Sequence, residues 1–147
     1  MHTGRLLVLV ETLRNIPSKK FNFASWVGGW NWRLSQLENI KELLNPECGT
    51  TACALGHACV IPAFMELGLG LDRQGEPIFD GRYGTDAAAL FFDISKTEAF
   101  FLFHWNRTLA TNLDWKSPDE NALATEVADH IEKFVAFKLS QTELSND

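Results

Sequence analysis

Ser95-Lys96-Thr97-Glu98-Ala99-Phe100-Phe101-Leu102-Phe103 joins a helix-start signal to an apolar face. A serine followed three residues later by glutamate is a capping box, in which the hydroxyl accepts the N3 amide and the carboxylate accepts the cap amide. Behind it, Phe100, Phe101 and Phe103 supply a side that must be buried. Immediately upstream, 86–92 reads as a second helix, so the pair predicts a helical hairpin with an aromatic core. Downstream, Ser117 and Pro118 with Glu120 predict a capped final helix, whose stripe is Leu123, Val127, Ile131, Phe134 and Val135.

The rest of the chain extends this reading. Leu6, Leu9, Val10 and Leu13 recur at helical spacing over 3–15, and Pro17 stops that helix. Leu34, Leu37, Ile40 and Leu44 predict a second helix ending at Asn45-Pro46, because the residue before proline resists the helical conformation. The hydroxyls of Thr50 and Thr51 are placed to cap a third helix, and Pro62 breaks it. Pro62 itself opens a short helical turn through Met65, closed by Gly68 as a left-handed cap. Only 69–83, rich in turn residues and poor in apolar periodicity, reads as strand, a small β-hairpin. The expected fold is mostly α: a compact single-domain helical bundle of about six helices with a minor β-hairpin, spanning 1–147 with no internal linker.

Composition bounds the function classes. At 147 residues, with 46% apolar and 12% aromatic content, the chain has enough material for one packed core. The apolar run Leu6 to Val10 is far shorter than the roughly 20 residues that span a bilayer, and too short for the core of a signal peptide. Three cysteines, an odd number, and no export signal place the expected compartment in the cytoplasm, with no membrane partner. The net charge of −6 argues against non-specific binding to a phosphate backbone. That charge is uneven: through Lys41 the chain carries Arg5, Arg14, Lys19, Lys20, Arg33 and Lys41 against only Glu11 and Glu38.

Local chemistry concentrates in Glu47-Cys48-Gly49-Thr50-Thr51-Ala52-Cys53-Ala54-Leu55-Gly56-His57-Ala58-Cys59. As a zinc site it offers Cys48, Cys53, His57 and Cys59, but all crowd one short segment, whereas zinc modules return from a distant element. No metal and no cofactor are therefore expected. As a nucleophile, Cys53 would sit in a first helical turn, where free amides lower a thiol's pKa, with His57, His104 or His130 as base; Cys48 is a second candidate. A Cys48–Cys53 disulfide is conceivable across a tight turn but disfavoured in a reducing compartment. The simpler reading is packing: Gly49, Ala52, Ala54, Gly56 and Ala58 allow close helix contact, with the cysteines as small buried hydrophobes.

The run from Cys48 to Ala58 resembles a C-G-T-x-x-C-x-x-G-(W/H)-A motif of uncharacterised small bacterial and phage proteins. The resemblance continues through Gly68-Leu69, Ala87-Ala88-Ala89-Leu90-Phe91-Phe92, Ser95-Lys96-Thr97-Glu98-Ala99, Leu102-Phe103 and Val127-Ala128, covering about two-thirds of the chain. Those proteins have no assigned reaction, cofactor or substrate, so the resemblance implies no activity; the expectation of an accessory factor of phage or mobile-element type, in the host cytoplasm if phage-encoded, rests on small size, an acidic surface and no recognisable catalytic constellation. In that family the place of His57 is commonly tryptophan, which argues against His57 as an essential base or ligand.

Two loop-like segments carry the expected binding residues. Residues 21–33 place five large rings around a Gly28-Gly29 pair, and Trp26, Trp30 and Trp32 with Arg33 have the composition of an interface centre. Residues 72–83 add Arg73, Arg82 and Tyr83 on a glycine-rich excursion. The leading expectation is a non-enzymatic protein with a protein partner. Alternatives are a cysteine-dependent hydrolase or transferase, and a small-ligand binder using a cavity among the aromatic helices.

Overall fold

The computed structural model describes residues 1–45, 47–109 and 115–145. Among these, seven α-helices and two small antiparallel sheets form the fold. Helix dominates, yet the architecture is mixed α/β rather than the helical bundle expected from the periodicity. The helices are α1 (Thr3–Arg14), α2 (Gln36–Leu44), α3 (Ala54–Ala58), α4 (Pro62–Glu66), α5 (Gly84–Phe92), α6 (Lys96–Phe103) and α7 (Ala124–Ser145).

The core forms where α1 packs against α7. Leu6, Leu9, Val10 and Leu13 of α1 are buried, as are Val127, Ala128, Ile131, Phe134 and Val135 of α7. At the edge of this seam the Arg14 guanidinium reaches Asp129 at 2.8 Å and Glu132 at 3.1 Å. Beside it stands the α5–α6 hairpin. The capping box at Ser95 and Glu98 is present with both its bonds, and Asp93 turns the chain in the left-handed region at φ 52°. Phe64, Phe92 and Phe79 surround Phe91, with ring centroids at 4.9, 5.0 and 5.2 Å in edge-to-face arrangements.

The excursion over 69–83 is a three-stranded meander, β3 (Gly70–Leu71), β4 (Pro77–Phe79) and β5 (Arg82–Tyr83), in spatial order β3-β4-β5. Asp80 and Gly81 both have positive φ, the turn that joins two strands through two residues. The second sheet had no counterpart in the sequence reading. β1 (Val27–Gly28) pairs antiparallel with β2 (Thr51–Ala52), Val27 opposite Ala52 and Gly28 opposite Thr51. With Thr51 in this ladder, its hydroxyl does not cap α3. Cys53 does, its Sγ accepting the Gly56 amide at 3.5 Å.

The last helix also starts later than its signature implies. Residues 106–107 and 117–118 clasp each other through their backbones: the Ser117 amide donates to the Arg107 carbonyl at 2.9 Å and the Asn106 amide to Pro118 at 3.0 Å. The Ser117 hydroxyl accepts the Arg107 amide instead of a helical one. This clasp holds the segment out of the helix until Ala124, where the Glu126 carboxylate accepts the Leu123 amide at 2.9 Å. Leu123, expected in the core stripe, is 56% exposed. The expected stop of α2 falls at Asn45-Pro46, and Pro46 lies outside the described residues. No described helix is long and apolar enough to cross a membrane.

Candidate functional site

The cysteine segment is a structural joint. β2 carries the chain into α3, and the Cys53 amide donates to the Ser25 carbonyl at 2.8 Å. Gly56 is forced by the same contact, because a Cβ there would lie 1.9 Å from the Trp26 carbonyl oxygen. The spacing of Cys53 and Gly56 therefore lets the 25–26 backbone rest on the first turn of α3.

Among the described residues, no hydrogen bond joins Cys48 or Cys53 to His57 or His104. Cys53 is 2% exposed, and burial pushes its thiol up to about 11. Cys59 is buried as well and its thiol is likewise raised, first by desolvation. Cys48 is half-buried, 3.4 Å from the Thr50 hydroxyl, whose hydrogen bond holds the thiol below its ordinary value. The imidazole of His57 is buried, with Nε2 2.9 Å from the Lys20 carbonyl oxygen and the ring stacked on Phe21. Burial lowers its pKa. The structure does bring Cys53 and His104 to one cavity of about 340 Å³, with Ser25, Trp26, Phe103 and Trp105. There the thiol is protonated and caps α3, while His104 Nε2 lies 2.9 Å from the Thr85 hydroxyl and burial lowers its pKa.

His130 is a satisfied core residue. The Trp115 indole N–H donates to Nδ1 at 3.3 Å and Nε2 lies 2.7 Å from the Phe101 carbonyl oxygen, a pairing that fixes the neutral tautomer with its proton on Nε2. Among the described residues, no group of three or more His, Cys, Asp or Glu side chains is placed to hold a metal ion.

The two expected binding segments, by contrast, meet. The Trp30 indole donates to the Arg73 carbonyl at 2.9 Å, and its ring lies against Gly75, where a Cβ would approach it to 3.0 Å. Trp26 lies in the same way against Gly84, directly after β5. The side-chain amide of Gln36 donates to the Leu71 carbonyl. Trp26 and Trp30 are thus half-buried struts that join 21–33 to 70–84. The docking glycines, Gly75 and Gly84, were not singled out by the sequence reading; both hold φ angles of the left-handed region, 81° and 58°. Trp32 behaves differently from its neighbours: it is 79% exposed, with the Arg33 guanidinium 5.2 Å from its ring centroid. Tyr83 is 49% exposed beside exposed Arg82, and Arg73 is exposed on the turn that receives Trp30. Among the described residues, Arg33, Arg73 and Arg82 have no carboxylate within 4.0 Å. The neighbouring Asp72 carboxylate is engaged by the backbone amides of Gln74 and Glu76 at 2.8 and 2.9 Å.

No family model matches the sequence, and neither the curated proteins nor the solved structures offer a match.

Proposed function

We propose that this chain is a non-enzymatic interaction protein that binds an acidic segment of a partner protein, using Trp32 and Tyr83 as anchors and Arg33, Arg73 and Arg82 as carboxylate receptors. The observation that carries this reading is the Trp32 indole left in water beside the Arg33 guanidinium, which has no carboxylate within 4.0 Å among the described residues. The other large rings of residues 21–33 lie against the core, so solvent exposure of Trp32 is a property of that position and not of the segment. Tryptophan, tyrosine and arginine are the residue types that dominate interface energetics. A guanidinium binds a carboxylate through two parallel hydrogen bonds, which favours an acidic peptide over an apolar one.

The net charge of −6 opposes approach of an acidic partner at long range. Attraction must therefore act locally, within the roughly 8–10 Å over which physiological salt screens charge. The same total charge argues against nucleic acid as the occupant. Small size and an acidic surface are consistent with an accessory role in a host cell. The cysteine-dependent alternative has little support in a protonated Cys53 and a Cys48 whose nearest described side-chain partner is a threonine hydroxyl.

Panning a random peptide library against the folded protein tests the reading. The expected result is enrichment of peptides rich in aspartate and glutamate, lost when the target carries Trp32→Ala and Arg73→Glu. Enrichment of neutral or basic peptides, or enrichment unchanged by these substitutions, overturns it.

A further inference from the structure

A cavity of about 520 Å³ lies between α1, the 3-10 turn at Ser18–Lys20, the end of α2 and the α3–α4 junction. Its walls are apolar, with Val8, Ile16, Leu43, Val60 and Ile61 among them. Its volume falls in the range of small-molecule sites. Polar groups on the α1 side serve their own helix: the Thr12 hydroxyl donates to the Val8 carbonyl at 2.9 Å and the Asn15 amide to the Glu11 carbonyl at 2.9 Å.

Lys20 is the exception in this wall. It is 2% exposed, and its ammonium donates to the carbonyls of Cys48 at 2.9 Å and Glu42 at 3.2 Å. Glu42 lies in the last turn of α2, so the helix dipole contributes some negative potential. Carbonyl dipoles solvate a cation but do not neutralise it. Among the described residues no carboxylate lies within 4.0 Å of the ammonium, and its third N–H has no acceptor. Glu11, which also borders the cavity, is exposed and outside ion-pair reach of Lys20. An ammonium taken out of water without an anion is expensive and is ordinarily compensated. His57, the other ionisable group deep in this wall, lies on the Lys20 carbonyl and supplies no negative charge.

We propose that this cavity binds an aliphatic monocarboxylate, whose carboxylate accepts the free N–H of Lys20 and whose hydrocarbon chain lies along the apolar wall. A single buried cation suits a monoanion and not a phosphate dianion, which would need further donors. Exposed Val8 and Leu44 extend the apolar surface to the outside, so a chain longer than the cavity still finds apolar contact.

Titration calorimetry and thermal shift with hexanoate, octanoate and decanoate, each beside the alcohol of the same chain length, test this site. The expected result is one-to-one binding with the acid preferred over the alcohol by about tenfold or more, the scale of one hydrogen bond to a charged group. Lys20→Met should abolish that preference. Val8→Trp, a substitution at a partly exposed position that fills the mouth, should abolish binding of both and keeps the test valid if Lys20→Met does not fold. Absence of binding, equal affinity for acid and alcohol, or acid binding unchanged by Val8→Trp each overturns the proposal.

Discussion

At Gly56 one hydrogen atom decides the geometry of the joint between α3 and the aromatic segment. A methyl group there meets the Trp26 carbonyl oxygen at 1.9 Å, so either the backbone over 25–26 lifts away or α3 shifts. Gly56→Ala is expected to destabilise the fold by about 1–3 kcal/mol or more, measured by urea unfolding. Three residues earlier, Cys53 combines two roles, a cap and a buried thiol. Its pKa in the fold, about 11, lies above the ordinary value near 9, so the folded state holds the proton where the unfolded chain has released it. Stability from this group is complete below pH 9 and is lost as pH rises from about 9 to 11. Comparing the parent with Cys53→Ser, which keeps a capping oxygen and removes the titration, should show a shallower decline in that window for the variant. Rapid alkylation of native Cys53 near neutral pH contradicts this account.

Ser95 and Ser117 show what an element's sequence can and cannot reveal. Both begin a serine-x-x-glutamate pattern, and only Ser95 caps a helix. The first is legible because its partners lie within one turn of chain. The second is claimed by Arg107, ten residues back, through a backbone clasp that no local pattern announces. Ser95→Ala should therefore cost about 1 kcal/mol through loss of the cap. Ser117→Ala should cost about 1 kcal/mol by removing the acceptor of the Arg107 amide at a part-buried site, with no loss of helix by circular dichroism. A fall in helix content for Ser117→Ala would restore it as a cap. The same contrast explains the sheets. Asp80-Gly81 marks the β4–β5 turn locally, whereas the β1–β2 ladder joins two-residue segments that lie far apart in the chain and carry no alternating pattern.

At the scale of the whole molecule, the tryptophans of 21–33 divide into struts and an exposed ring. Trp30 ties that segment to the 72–75 turn through its indole N–H and its contact with Gly75, so Trp30→Ala should destabilise by about 2–4 kcal/mol. Trp32→Ala, at an exposed position, should stay within about 0.5 kcal/mol of the parent. Chemical denaturation of the two variants separates these outcomes, and equal losses would place Trp32 in the fold rather than on a binding face. The sequence singled out Trp26, Trp30, Trp32, Arg33, Arg73, Arg82 and Tyr83 from composition alone. The meeting of the two segments depends on Gly75 and Gly84 receiving the Trp30 and Trp26 rings, which local composition does not distinguish from the exposed Trp32 ring. The Lys20 cavity was not legible at all, because its wall is assembled from three separated stretches of chain, within 8–20, 43–44 and 57–62, and a lysine is ordinarily solvated.

The most direct measurement of the proposed function is the affinity of an acidic, library-selected peptide for the parent protein and for Arg73→Glu/Arg82→Glu, at low and high salt. Both proteins should unfold at closely similar denaturant concentrations, since neither arginine has an ion-pair partner among the described residues. The account predicts binding that weakens as salt rises in the parent and falls at least about tenfold in the variant. Affinity that is the same in both proteins and insensitive to salt would contradict it.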